Sequence, residues 1–136
     1  MDYKELAKIA VKSKEKAYAP YSKFKVGAAL LTSDGTVYQG ANIENAAFGL
    51  TICAERTAVF QAVLDGKDKF EAIAIAGSLE GFTPPCGSCR QVMAELCGHH
   101  LDVILVDRKE EVKVIKLGEL LPMSFDKDFQ KKMKKN

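Results

Sequence analysis

Apolar positions in the first eighteen residues recur with the spacing of one helix face. The recurring side chains are Leu6, Ile9, Ala10 and Ala17. This pattern predicts a helix over residues 2–18, which Pro20 ends because proline cannot continue the hydrogen-bond ladder of a helix. Two apolar runs, 24–32 and 37–42, then flank the turn sequence Ser-Asp-Gly-Thr and predict the two arms of a β-hairpin.

The rest of the chain alternates between strand and helix patterns. Strands are predicted at 70–76, 101–106 and 112–116, and helices at 51–65, 86–97 and 117–121. Two strand–helix–strand units predict a largely parallel centre, and the hairpins at both ends add antiparallel pairs. We therefore expect an α/β fold with three α/β/α layers and a mixed five-stranded sheet. Since there is no internal repeat or low-complexity linker, residues 1–125 are expected to form one domain and residues 126–136 a lysine-rich tail.

The helix predicted at 51–65, with Thr51 as its cap, is apolar in nearly every direction around its axis. Its apolar residues are Ala54, Ala58, Val59, Phe60, Ala62, Val63 and Leu64. A helix that is apolar all round is buried all round. Because a sheet covers only one side of it, the sequence predicts that the other side meets a second copy of the chain.

Composition and charge narrow the function classes. The 136 residues are 47% apolar and 28% charged, which excludes a disordered or fibrous chain. The net charge is +2, but residues 126–136 hold five lysines and two aspartates, which leaves 15 basic and 16 acidic residues in the remainder. A body of net charge −1 lacks the electrostatic footprint of a nucleic-acid-binding protein.

The sequence also shows no pattern typical of a membrane-spanning segment or a signal peptide. The longest stretch without a charged residue, 45–54, has ten residues, about half the length that crosses a bilayer. The charged start of the chain leads into no apolar signal core, so we expect a cytoplasmic protein with no membrane partner. In that reducing compartment, cysteines are more often metal ligands or catalysts than disulfide partners.

Three of the four cysteines are spaced like metal ligands. Cys53 begins one predicted helix, and Cys86 and Cys89 share a face at the start of another. A helix N-terminus favours the thiolate, which is the form that binds zinc. Cys97 lies about 12 Å further along the second helix, too far for a zinc–sulfur bond of about 2.3 Å, and is therefore predicted to be a buried core residue. His99 and His100 lie at the same distant end, so three protein ligands remain, the count typical of a catalytic zinc site with one position open for water.

Two residues beside Cys53 complete the predicted chemistry. Three thiolates around Zn²⁺ carry a net charge of −1, and the Arg56 guanidinium could withdraw charge from the ligand sulfurs. Glu55 lies in the first turn of the same helix, where its carboxylate can reach a water without displacing a ligand. Its predicted role is general base and then general acid.

Four segments in this order resemble the small homotetrameric cytidine deaminases: residues 18–30, 42–46, 53–58 and 85–91. The likeness extends from Met1 to about Phe125. It implies one Zn²⁺ per subunit, bound by Cys53, Cys86 and Cys89, with Glu55 as the proton shuttle and Arg56 tuning the charge of the ligands. Zinc deaminases share a Cys-x-x-Cys pair and a glutamate that is not a ligand.

The same resemblance implies five substrate-binding residues: Phe24, Asn42, Glu44, Ala54 and Phe125. Asn42 and Glu44 would bind the ribose 3′-hydroxyl, Phe24 would pack on the base, and Phe125 would be supplied by a neighbouring subunit. Phe48 departs from the pattern, because many relatives have tyrosine there, and its hydrogen bond would be lost.

The function expected from these residues is zinc-dependent hydrolytic deamination of free cytidine and 2′-deoxycytidine, as in pyrimidine salvage, by a homotetramer. Two alternatives share the zinc motif. One is a related aminohydrolase acting on a cytosine nucleoside antibiotic of the blasticidin S type. The other is a non-catalytic zinc domain in which Cys97 or a histidine closes the fourth position.

Overall fold

The computed structural model of the chain describes residues 1–78 and 80–126. Nine elements follow in order: α1 (Tyr3–Ser13), β1 (Gly27–Thr32), β2 (Val37–Ala41), α2 (Ala54–Leu64), β3 (Phe70–Ala76), α3 (Gly87–Leu96), β4 (Asp102–Val106), β5 (Val112–Lys116) and α4 (Leu117–Leu120). Within these residues no helix is long and apolar enough to span a membrane. Residues 127–136, most of the predicted lysine-rich tail, lie outside the described part.

The expected mixed five-stranded sheet is confirmed, with the order β2-β1-β3-β4-β5. Of the four strand pairs in the sheet of the described residues, β3 with β4 is the parallel one, and the other three are antiparallel. The prediction of a largely parallel centre was therefore wrong. The hairpin strand β1 lies between β2 and β3, so the crossover through α2 passes over an antiparallel strand before the chain returns to the sheet.

Helices cover both faces of the sheet, as the three-layer prediction requires. On one face, Leu6, Ala7 and Ala10 of α1 pack on alternate residues of β1, β3 and β4. On the other face, α2, α3 and Leu117 of α4 form the larger core with the remaining strand residues. The alternation of side chains along each strand explains how both faces are apolar. Cys97 belongs to the larger core and is 4% exposed, so its predicted structural role is confirmed.

Three predicted boundaries differ by three residues or more, because long-range hydrogen bonds replace the local pattern, and several others differ by one residue. The first helix ends at Ser13 and a short 3₁₀ turn, since Tyr18 N–H donates to Asn42 O instead of to its own helix. The second helix begins at Ala54 and is capped by Cys53 rather than Thr51, because Ile52 forms a β-bridge with Ile43. The strand predicted at 24–32 begins only at Gly27.

Gly40 determines how closely α2 approaches the sheet. A Cβ atom at this position would lie 2.2 Å from the Ala54 carbonyl oxygen and 2.7 Å from the Ala58 nitrogen. No side chain fits at such a distance, so glycine lets the first turn of α2 lie directly against β2. This contact places the start of α2, with Cys53 and Glu55, at one end of the sheet.

Candidate metal centre and pocket

Three cysteine sulfurs converge where the N-termini of α2 and α3 meet. Cys53 is the N-cap of α2, Cys86 is the N-cap of α3, and Cys89 lies in the first turn of α3. The Cys53 and Cys86 sulfurs are 3.7 Å apart, and those of Cys86 and Cys89 are 3.3 Å apart. All three sulfurs lie within 4.8 Å of one another. Both helix termini direct their partial positive charge at this cluster.

The donor set fits Zn²⁺. Four ligands at about 2.3 Å in a tetrahedron place neighbouring sulfurs roughly 3.8 Å apart, close to the separations seen here. Cys97 is buried elsewhere, while His99 is hydrogen-bonded to Ser124 and His100 to the Phe70 carbonyl. Among the described residues, no fourth His, Cys, Asp or Glu joins the group. The cluster thus has the three-ligand count of a catalytic site.

Arg56 lies beside the cysteine cluster and donates a hydrogen bond from Nη2 to Cys53 Sγ over 3.4 Å. Hydrogen bonds from Cys89, Arg56 and Cys86 lower the pKa of the Cys53 thiol to about 5 against the opposing effect of burial. The pKa of Cys89 is raised, because the Cys53 sulfur and burial both disfavour a second thiolate. The thiolate is therefore favoured at Cys53, beside the guanidinium, whereas Cys89 is held in its thiol form.

Glu55 is buried next to these sulfurs. The residue is only 4% exposed, and burial raises the pKa of its carboxyl to about 7. Its position in the first turn of α2 brings it to the wall of a pocket rather than into the ligand set. A carboxyl whose pKa is near 7 and which lines a pocket is suited to exchanging protons with a bound molecule.

The pocket has a volume of about 280 Å³ and opens beside the cysteine cluster. Its lining residues are Ser22, Phe24, Val26, Asn42, Glu44, Phe48, Thr51, Cys53, Ala54, Glu55, Thr83, Pro84 and Cys86. Most of the exposed lining is apolar, with polar groups confined to a few positions, which is typical of sites for small organic molecules. The volume suits one small organic molecule.

Asn42 and Glu44 line the pocket, and their side chains also form hydrogen bonds with residues 21–26, which make up one of its walls. The Asn42 amide donates to Phe24 O and accepts from Val26 N–H, each over 2.8 Å. Glu44 Oε1 accepts from Tyr21 N–H at 3.0 Å and from Ser22 N–H at 3.1 Å, and Oε2 accepts from the Ser22 hydroxyl. These bonds from Ser22 and Tyr21 lower the pKa of Glu44, so its carboxyl is ionised near neutral pH.

The structure brings most of the predicted site residues together. Phe24, Asn42, Glu44, Ala54 and Glu55 line the same pocket as two of the three cysteines, and Cys89 is buried beneath them. Phe125 is not among the described residues that line it. This side chain is 57% exposed, and its carbonyl accepts a hydrogen bond from Gln91 Nε2.

Sequence reasoning missed several lining residues, among them Ser22, Val26, Thr51, Thr83 and Pro84. Ser22 and Val26 lie within the first of the four segments that carry the family resemblance, 18–30, so the signal that could have found them was their place beside Phe24. Thr83 and Pro84 belong to a loop whose position relative to Phe24 depends on tertiary contacts.

Comparisons with known proteins agree on one family. The family model described as "Cytidine and deoxycytidylate deaminase zinc-binding region" matches residues 1–104. A cytidine deaminase of Sporosarcina psychrophila is 49% identical over 128 residues, covering 94% of both chains. One from Halalkalibacterium halodurans is 51% identical over 125 residues, covering 92% of this chain and 95% of its own. The crystal structure of cytidine deaminase from Burkholderia pseudomallei has a TM-score of 0.89 and 50% identity, covering 92% of this chain and all of its own.

Proposed function

The chain belongs to the family of zinc-binding cytidine and deoxycytidylate deaminases, and on that premise we propose that it deaminates free cytidine and 2′-deoxycytidine by hydrolysis. Water replaces the amino group at C4, and the products are ammonia and uridine or 2′-deoxyuridine. The observation that carries the proposal is the meeting of three thiols with the buried Glu55 carboxyl at one end of a small pocket. Such a nucleoside reaction fits pyrimidine salvage.

Cys53, Cys86 and Cys89 are the proposed ligands of one Zn²⁺ per subunit. When bound, zinc supplies a Lewis acid that lowers the pKa of a coordinated water to about 7. Arg56 donates to the Cys53 sulfur and offsets the negative charge of the three thiolates. The two helix termini act in the same direction, because their unpaired N–H groups also stabilise negative charge.

Glu55 is the proposed proton carrier of the reaction. Its carboxylate accepts a proton from the attacking water as the C4–oxygen bond forms, and it delivers that proton to N3 of the pyrimidine. The same carboxyl then takes the remaining proton from the C4 hydroxyl and passes it to the amino nitrogen, which leaves as ammonia as the C4–nitrogen bond breaks and the C4 carbonyl forms. Burial of Glu55 excludes bulk water that would otherwise compete for this proton.

Asn42 and Glu44 are the proposed binding residues for the ribose 3′-hydroxyl, and Phe24 and Ala54 for the pyrimidine. An amide and a carboxylate side by side offer a donor and an acceptor to one hydroxyl group. The ionised Glu44 would repel a phosphate at that position, which disfavours the internal nucleotides of a polynucleotide as substrate. Phe48 lines the pocket without the phenolic oxygen that many relatives would provide.

A homotetramer is the proposed assembly, with Phe125 of a neighbouring subunit closing each pocket. The apolar side chains of Phe60, Val63 and Leu64 on α2 support it, because all three are exposed, and Leu64 is 88% exposed. An apolar helix face of this kind is typical of a surface that another chain covers. We further propose residues 1–125 as one zinc-dependent deaminase domain, residues 126–136 as a lysine-rich C-terminal tail, and the cytoplasm as the location.

Parallel assays of ammonia release test the proposed substrate. Zinc-replete protein is incubated with cytidine, 2′-deoxycytidine, cytidine 5′-monophosphate, blasticidin S and a cytidine-containing oligonucleotide, and the metal content is measured on the same sample. We expect release from the two nucleosides and about one zinc per chain. Release from blasticidin S alone would indicate the antibiotic aminohydrolase, and bound zinc without release from any substrate would indicate a non-catalytic zinc domain.

A further inference from the structure

The pocket wall formed by residues 21–26 is shaped by side chains rather than by strand pairing. Residues 21–26 precede β1 and belong to no strand. Within this segment Lys23 has φ +62°, a left-handed conformation that lysine rarely adopts. Its N–H bonds to Ala19 O at 3.1 Å, but the conformation of the segment must be maintained from outside. Asn42 and Glu44 are the side chains that do so.

The Ser22 hydroxyl group contacts both the Glu44 carboxylate and the backbone of Phe24. Its Oγ donates to Glu44 Oε2 and accepts from Phe24 N–H at 3.0 Å. The hydroxyl therefore has one partner in the carboxylate that faces the pocket and another in the backbone of the aromatic wall. Removing the hydroxyl would free both groups at once, while leaving the two backbone bonds to Glu44 Oε1 intact.

The remaining hydrogen-bonding capacity of Glu44 matches a hydroxyl donor. A carboxylate has about four acceptor positions, and the segment already occupies three of those on Glu44. Asn42 uses one of its two amide N–H groups on Phe24 O, which leaves one donor. The pair therefore retains one acceptor and one donor near each other in the pocket lining.

We propose that Ser22 is a positioning residue that couples recognition of a ribose hydroxyl by Glu44 to the placement of Phe24 against the base. This inference rests on the proposed function, because it concerns the same pocket and a nucleoside ligand. With the serine hydroxyl present, a ligand hydroxyl meets a carboxylate whose orientation is already fixed. Without it, Glu44 Oε2 loses its donor and Phe24 N–H loses its acceptor, so the carboxylate and the aromatic ring are both held less firmly and sugar and base recognition weaken together.

The test compares two substrates that differ only in the sugar hydroxyl. Steady-state KM and kcat are measured with cytidine and with 3′-deoxycytidine for the wild type and for Ser22→Ala. We expect Ser22→Ala to raise KM for cytidine about tenfold, the effect of losing one hydrogen bond to a charged group. KM for 3′-deoxycytidine should rise by about threefold or less, and kcat should stay within about twofold.

Ser78 offers a matched control. Its hydroxyl donates to Lys25 O at 2.7 Å, so it contacts the same segment, whereas the hydrogen bonds to the Glu44 carboxylate come from Tyr21 and Ser22. Ser78→Ala should leave both KM values within about twofold. Ser22→Thr retains a hydroxyl and should stay close to the wild type, whereas Ser22→Cys, a weaker donor of similar size, should give an intermediate ratio of the two KM values.

Equal rises in KM for both substrates in the Ser22 variants would overturn the coupling and indicate a general loss of pocket shape. The same holds if Ser78→Ala changes the KM ratio as much as Ser22→Ala does. Thermal unfolding and zinc content are recorded for every variant, and if Ser22→Ala does not fold, the Ser22→Cys ratio decides. Failure of the proposed function is distinct, since the wild-type protein would then release no ammonia from cytidine.

Discussion

Arg56 and Cys53 are joined by a hydrogen bond of 3.4 Å between the guanidinium Nη2 and the thiol sulfur. The two residues are three positions apart in the sequence, so the hydrogen bond spans about one helical turn at the N-terminus of α2. A positive charge in this position lowers the electrostatic cost of gathering three thiolates at one metal. The bond therefore connects the local helix geometry of α2 to the chemistry of the cysteine cluster.

The first prediction concerns this arginine. Arg56→Gln removes the positive charge while retaining a long polar side chain, so zinc affinity or kcat should fall about 10-fold to 100-fold. Competition with a chromophoric chelator measures the affinity, and ammonia release measures kcat. Arg108→Gln is the control, because Arg108 is exposed and its ion pair with Glu80 is long at 3.6 Å. Equal effects of the two substitutions would contradict the role of Arg56.

Replacing the buried carboxyl tests the proposed proton transfer. Glu55→Gln has nearly the same shape but cannot accept and deliver protons, so kcat should fall about 10²-fold to 10⁴-fold. Zinc content should stay at the wild-type level, because the carboxyl is not in the ligand set. Near-normal turnover by a zinc-loaded Glu55→Gln protein would show that another group carries the proton.

The cysteines should separate into ligands and a core residue. Cys86→Ser is expected to lose most of the bound zinc, since a hydroxyl is a poor ligand in place of a thiolate. Cys97→Ser should retain zinc and instead lower the free energy of unfolding by about 1–3 kcal/mol, because a hydroxyl is buried in an apolar core. Metal analysis and urea unfolding distinguish the two effects. Zinc loss in Cys97→Ser comparable to that in Cys86→Ser would be inconsistent with the three-ligand site.

Gly40 should be intolerant of the smallest side chain. Gly40→Ala would put a Cβ atom 2.2 Å from the Ala54 carbonyl, so α2 must move away from β2. We expect a loss of about 1–3 kcal/mol in the free energy of unfolding, the usual cost of overpacking, together with weaker zinc binding. Gly49→Ala is the control, because nothing lies within 4 Å of its Cβ position. Equal stability of both variants in urea would refute this packing argument.

Tyr3 supplies a pH-dependent contact between α1 and β4. Its hydroxyl donates to Asp102 Oδ2 at 2.6 Å, and burial followed by this hydrogen bond raises the pKa of Tyr3 to about 12. A tyrosine in an unfolded chain titrates near pH 10. Folding therefore favours the protonated phenol, and this contribution is complete below about pH 10 and lost as the pH rises through about 12.

Tyr3→Phe should accordingly lower the free energy of unfolding by about 1 kcal/mol at pH 8 and reduce its decline between about pH 10 and 12. Urea unfolding at fixed protein and zinc concentrations measures both quantities. The exposed Tyr18 provides the control in Tyr18→Phe. If the free energy of unfolding of Tyr3→Phe declines between about pH 10 and 12 as steeply as that of the wild type, the hydrogen bond from Tyr3 to Asp102 does not contribute as proposed.

Local patterns predicted much of the fold and part of the candidate site. The strands Phe70–Ala76 and Val112–Lys116 have the predicted bounds, because an apolar run in the first and valine and isoleucine in the second mark a strand beside turn sequences. Helix rise alone separated Cys97 from the other cysteines, and the mixed sheet of five strands is confirmed. The start of α2 was predicted too early, because the bridge between Ile43 and Ile52 is not visible in a helical pattern.

The sequence by itself determined which residues are candidates for the chemistry, since thiol spacing, helix rise and the neighbouring glutamate are properties of short segments. Only the tertiary structure decided the strand order, with β1 between β2 and β3, and the pocket wall around Ser22 and Phe24. Both depend on hydrogen bonds between residues far apart in the chain, such as those from Asn42 to Phe24 and Val26. Local sequence propensity does not predict such partners, because these hydrogen bonds form only when the sheet and helices pack together.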